Sequence, residues 1–98
     1  MIFVSGTSGV IEGFQGSDPY AQARRAIENI ENVLKRSGAS LQDVVRTRVF
    51  LTRGTDWKEV ARAHEEFFGN ILPASSMLVC EFLDPKILVE IEADAVVP

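Results

Sequence analysis

Cysteine, histidine and long apolar runs are scarce in this chain, and each shortage excludes something. One cysteine, Cys80, rules out an internal disulfide, and with His64 the only histidine no run of thiol and imidazole ligands falls at zinc spacing. That usage fits a reducing, cytoplasmic setting and predicts no metal and no organic cofactor. No stretch approaches the roughly 18 apolar residues of a membrane span, and Met1-Ile2-Phe3-Val4-Ser5-Gly6 is too short an apolar run for a signal peptide. Positive charge is also short: 10 Lys and Arg against 14 Asp and Glu leave a formal charge of −4. Such a balance argues against a broad grip on nucleic acid phosphates or anionic lipid.

What is present suits an ordinary globular chain. With 98 residues, 46% hydrophobic and 24% charged, the sequence predicts one folded domain over 1–98. A domain this small buries only about two thirds of its unfolded surface, so burial against further copies of itself is an attractive supplement.

Ile2 to Val4 reads as a short strand feeding a glycine-containing loop, Ser5-Gly6-Thr7-Ser8-Gly9. Asp18-Pro19 offers an N-cap and a proline at the first helical position. Ala23, Ala26, Ile27, Ile30, Val33 and Leu34 then recur at helical spacing until Gly38. The charged residues outside that stripe, Arg24 and Arg25 among them, read as a solvated face. Val44 to Thr52 alternates, placing Val45, Thr47, Val49 and Leu51 on one side and Arg46, Arg48 and Phe50 on the other. Thr55 or Asp56 caps a second helix with an apolar stripe of Trp57, Val60, Ala61, His64, Phe67 and Phe68. Two strand-like runs, Ser75 to Phe82 and Ile87 to Val97, flank Leu83-Asp84-Pro85-Lys86, a turn that predicts an antiparallel hairpin.

The order strand, helix, strand, helix, strand, strand predicts two crossover units and one mixed sheet with both helices on one face, an α+β two-layer sandwich. Arg46, Arg48, Phe50, Leu78, Glu90, Glu92 and Asp94 fall on the other face, which is too apolar in places and too charged in others to lie bare. A second copy of the chain covers it best.

Few residues invite chemistry. His64 lies within an apolar stripe and reads as a packed side chain before a general base. The Ser5 to Gly9 segment is a tight turn or a weak anion site. Glu90, Glu92 and Asp94 stand about 7 Å apart along one strand face. Either arginines neutralise them or one keeps a raised pKa and activates a water. Cys80 reads as a small buried hydrophobe.

Taken in order, several segments carry a resemblance: Phe3-Val4-Ser5-Gly6, Ala21-Gln22-Ala23, Asn29-Ile30, Asp43-Val44-Val45-Arg46-Thr47-Arg48-Val49-Phe50, Phe67-Phe68, Pro73-Ala74 and Val89-Glu90-Ile91-Glu92-Ala93. The set resembles the Rid (reactive intermediate deaminase, YjgF) family over essentially the whole chain. The resemblance implies a chorismate-mutase-like fold, a homotrimer with ligand clefts between neighbours, and cofactor-free hydrolysis of enamines or imines to a 2-oxo acid and ammonia. By that likeness Glu90 positions or activates the attacking water, and Ser5 and Gly6 form a cleft wall. Ser75, Ser76 and Met77 follow the cleft proline, Pro73.

The sequence departs from the family at two of these positions. Ser75 stands where deaminating members carry a carboxylate-clamping arginine, and Met77 where many carry a cysteine. Family members also usually have a strand and turn before the Phe-Val-Ser-Gly strand, which the sequence does not show. The resemblance leaves three functions open: a small-metabolite trimer that hydrolyses a C–N bond, a non-catalytic binding or regulatory trimer, and the RNA-cleaving translation inhibitor described for some relatives. No membrane partner is expected, and nucleic acid is a poor fit.

Overall fold

A computed structural model describes residues 1–10 and 18–98. Among them run β1 (Ile2–Ser8), α1 (Pro19–Arg36), β2 (Val44–Thr52), α2 (Trp57–Phe68), β3 (Ala74–Cys80) and β4 (Val89–Ala95), with a short 3-10 turn at Leu41–Asp43 before β2. The ends of α1 are where the side chains require them. Asp18 accepts the Tyr20 N–H at 3.0 Å and Pro19 opens the first turn. At the other end Gly38 takes φ +82°, which lets the Ala39 N–H reach the Leu34 carbonyl at 2.8 Å and the Gly38 N–H reach that of Lys35 at 3.2 Å.

The four strands lie in the order β1-β4-β2-β3, with β4 antiparallel to both neighbours and β2 parallel to β3. The expected hairpin between the last two strands is therefore absent, since β2 lies between them. Having crossed over through α2 to run parallel beside β2, the chain steps across the end of β2 and fills the gap between β1 and β2. There β4 gains hydrogen-bonding partners on both edges. Gln22, fully buried on α1, holds this connection: its Nε2 donates to the Lys86 carbonyl at 3.0 Å and its Oε1 accepts the Leu88 N–H at 2.9 Å.

Both helices cover one face of the sheet, and the core lies between the layers. Ala23, Ala26, Ile27, Ile30 and Leu34 of α1 meet Val89, Ile91, Ala93 and Ala95 of β4, all without solvent exposure. The β4 alternation is thus as its sequence pattern predicts, though the strand is shorter at both ends. In β2 a register shift between Val44 and Arg46 turns Val44 into the core and leaves Val45 47% exposed, reversing the expected placement of Val45. In α2, Val60, Ala63 and Phe68 form the buried stripe, while Trp57, 56% exposed, stands outside it. A second register shift, between Val4 and Thr7, makes Ser5-Gly6 a bulge within β1 rather than the start of a loop.

Arg24 and Arg62 are not simply solvated. Arg24 donates to Glu66 at 2.8 Å, Tyr20 hydrogen-bonds the same carboxylate, and the Arg62 guanidinium sits 3.7 Å over the Tyr20 ring. The cluster ties α1 to α2 on the outside of the molecule and holds the Glu66 carboxyl below the usual range, through the Tyr20 and Arg24 hydrogen bonds.

Candidate functional site

The face of the sheet away from the helices is uncovered. On it Arg48 of β2 donates from Nε to Glu92 at 2.7 Å and from its terminal nitrogens to Asp94 at 3.3 Å. One arginine thereby neutralises two of the three carboxylates of β4. The Glu90 carboxylate, third in that row, makes no hydrogen bond or ion pair among the described residues. It lies opposite Phe50 on one side and Ser8 on the other. A Cβ at Gly6 would come 2.5 Å from Glu90 Oε1, so glycine at the β1 bulge is what lets this carboxylate lie against the backbone. Phe3, Arg46 and Leu78 share the face and are exposed.

Ser5, Gly6 and Glu90 are therefore neighbours on β1 and β4. Ser75, Ser76 and Met77 are elsewhere, on β3 at the opposite edge of the sheet. From β4 to β3 is two strand spacings, about 10 Å, and from β1 three, about 14 Å. The two sides of β3 also differ. Ser76 pairs with Arg48 and faces the open side, whereas Ser75 pairs with Thr47 and faces the helices. Met77 lies on the Ser75 side and borders a pocket beside α2. Within one chain the two groups of candidate residues therefore do not meet.

Sequence reasoning missed a hydrogen-bonded row across the helix side. The buried Thr47 hydroxyl donates to Ser75 Oγ at 2.7 Å and lies 2.8 Å from His64 Nε2. Thr47 and His64 fall at core positions in their own periodicities, and only a polar residue at such a position signals a partner.

Burial lowers the His64 pKa, with the neighbouring Glu65 carboxylate opposing it. A group whose folded pKa lies below its unfolded value of about 6.5 binds more protons when unfolded. His64 thus contributes stability in full above about pH 6.5 and loses it as the pH falls toward the folded pKa. Denaturant titrations at pH 7.5 and 5.5 should show wild type losing more stability than His64→Gln. Equal losses would mean that the ring is not held neutral.

Cys80, at the end of β3, is half-buried rather than buried, and burial together with Glu90 raises its thiol pKa. It is a poor nucleophile at neutral pH. No group of three metal-ligating side chains is brought together among the described residues, and no helix among them is long and apolar enough to cross a membrane.

Two helices on one face of a mixed four-stranded sheet, with β4 inserted between the parallel pair β1 and β2, place the chain in the chorismate-mutase-like α+β class. The profile of the family described as Endoribonuclease L-PSP matches residues 1–97, and the chain belongs to that family, the YjgF or Rid family of the sequence resemblance. Among solved structures, a YjgF/YER057c/UK114 family member from Mycobacterium tuberculosis is 46% identical with a TM-score of 0.87, covering 97% of this chain and 77% of that one. Escherichia coli TdcF with bound serine is 29% identical with the same TM-score of 0.87, covering 98% and 80%. An uncharacterised protein of Streptomyces coelicolor is 35% identical over 79 residues, 80% of this chain. The match spans only 59% of the length of that relative.

Proposed function

We propose that this single domain acts as a homotrimer that binds a small metabolite in clefts between neighbouring copies and hydrolyses an enamine or imine there with Glu90. The observation that carries this reading is the division of the site. Gly6 and Glu90 lie toward one edge of the sheet and Ser75 to Met77 on the other. Edge strand β3, exposed at Met77, Leu78 and Val79, has no strand beyond it among the described residues. A second copy set against that edge completes the site and covers apolar surface at the same time.

The uncovered face gives further support. Its Arg48, Glu92 and Asp94 are already mutually satisfied, so the face can be buried without stranding those charges. Glu90, lacking such a partner among the described residues, is left to accept a proton. In hydrolysis the Glu90 carboxylate takes a proton from water as the oxygen bonds to the imine carbon. With the imine protonated at the outset, the carbinolamine nitrogen is an amine; Glu90 returns its proton to that nitrogen, the C–N bond breaks to release ammonia, and the hydroxyl passes its proton to solvent as the C=O bond forms. The serine bound to TdcF is consistent with a small amino-acid-like ligand in this fold.

Ammonia release from 2-iminobutyrate generated in solution tests the reading. The protein should accelerate release over buffer, and an unchanged rate would defeat the catalytic part. RNA incubated beside it should remain intact, since the chain carries an excess of four negative charges and its one histidine is held between Thr47 and Phe68.

A further inference from the structure

Two polar side chains among the described residues are fully buried, Gln22 and Thr47. Gln22 is explained by the connection into β4 that it holds. Thr47 is not, because a valine would fill the same space on the helix side of β2 and bring no hydroxyl to satisfy. That hydroxyl is bonded on both sides, to His64 Nε2 at 2.8 Å and to Ser75 Oγ at 2.7 Å. The row runs from half-buried His64 on α2, through Thr47 on β2, to exposed Ser75 on edge strand β3. Its members are held in place. The Phe68 ring packs 4.7 Å from the imidazole, and Thr47 and Ser75 are register partners in the parallel pair.

Each hydroxyl has one hydrogen, which leaves two arrangements that satisfy Thr47. In the first, Ser75 gives its hydrogen to Thr47 and Thr47 gives its own to His64 Nε2, so Ser75 offers only lone pairs outward. In the second, His64 gives an Nε2 hydrogen to Thr47, Thr47 gives its own to Ser75, and the Ser75 hydrogen is free to point outward. Were both neighbours to donate to Thr47, its buried hydrogen would have no acceptor. The tautomer of His64 thus decides, two hydrogen bonds away, whether the hydroxyl at the sheet edge donates.

We infer that His64 is a positioning residue for the proposed cleft: acting through Thr47, it holds Ser75 in the second arrangement, as a hydrogen-bond donor to the bound metabolite. The inference rests on the reading above, in which Ser75 belongs to the cleft. Donation from Thr47 to Ser75 is the second arrangement. The neighbouring chemistry also calls for it. A Glu90 carboxylate only accepts, and the Met77 thioether is a weak acceptor, so a Ser75 limited to lone pairs would meet a substrate oxygen acceptor against acceptor. A donor already aimed needs no reordering when the ligand arrives.

His64 is the only histidine, so NMR of protein labelled at the histidine nitrogens reads this ring alone. At neutral pH the hydrogen should sit on Nε2. L-Serine, the ligand of TdcF, should shift the ring signals saturably in the wild-type protein and leave them still in Ser75→Ala and Thr47→Val, with circular dichroism and assembly mass unchanged. In ammonia release from 2-iminobutyrate, Ser75→Ala and His64→Phe should each lower kcat/KM about tenfold, the scale of one hydrogen bond. The double variant should be no slower than Ser75→Ala, since His64 acts only through Ser75. His64→Gln, whose amide can donate to Thr47, should recover part of the loss. A hydrogen on Nδ1, no shift with serine, a shift that survives Ser75→Ala, or losses that multiply in the double variant would each overturn the inference. A serine-induced shift that depends on Ser75, without any ammonia release, would uphold it and defeat the hydrolytic reading alone.

Discussion

Glu90→Gln is expected to lower the rate of ammonia release by about 100-fold or more while leaving the fold and assembly intact, the usual scale for losing a positioned base. The amide keeps the shape of the side chain and cannot accept the proton of the attacking water. Shape matters because the carboxylate lies against the Gly6 backbone, where an added Cβ would come 2.5 Å from Oε1. Gly6→Ala must therefore push the end of a flexible side chain aside, which costs the fold little and moves the base. Its rate should also fall, with the denaturation midpoint nearly unchanged. A Glu90→Gln protein as fast as wild type would show that the base is another group.

The largest effect on stability is expected from Phe68→Ala, at about 3–5 kcal/mol, the range for removing a buried phenylalanine that leaves a cavity behind. Phe68 ends α2 with 2% of its surface exposed, and its ring lies 4.7 Å from that of His64. Little around it can collapse to fill the space. The neighbouring backbone is fixed by the Leu72 N–H donating to the Phe68 carbonyl at 2.9 Å, with Leu72 at φ 56°. Urea denaturation at one chain concentration measures the loss, since self-association would otherwise shift the midpoint. A loss under about 1 kcal/mol would mean that the end of α2 repacks freely.

How well the sequence announced each feature follows from where its determinants lie. The limits of α1 were legible because Asp18, Pro19 and Gly38 act on their own backbone. So were the faces of β4, whose strict alternation needs only the period of a strand. Strand order was not legible, because β4 contains no residue that names β2 as its partner over β3. The local turn sequence at Leu83 to Lys86 pointed to a hairpin that the gap between β1 and β2 overrode.

That one error governs the site. With β3 beside β4, Ser75 to Met77 would have stood next to Glu90 in a single chain. With β2 interposed, the two groups are apart within one chain, and the proposed site calls on a neighbouring copy. The bulges at Val45 and Ser5-Gly6 were hidden for a related reason, since one extra residue reverses the faces without changing the composition of a strand. Trp57 misled through its position at helical spacing from Val60 and Ala61, where a stripe continues on paper but the core has ended.

The mass of the protein in dilute buffer tests the account most directly. Multi-angle light scattering at low micromolar concentration should give three times the 10.8 kDa of one chain. A persistent 10.8 kDa species would leave the Arg48 face open to water and Glu90 parted from Ser75 to Met77, and would contradict the divided site as a place of catalysis.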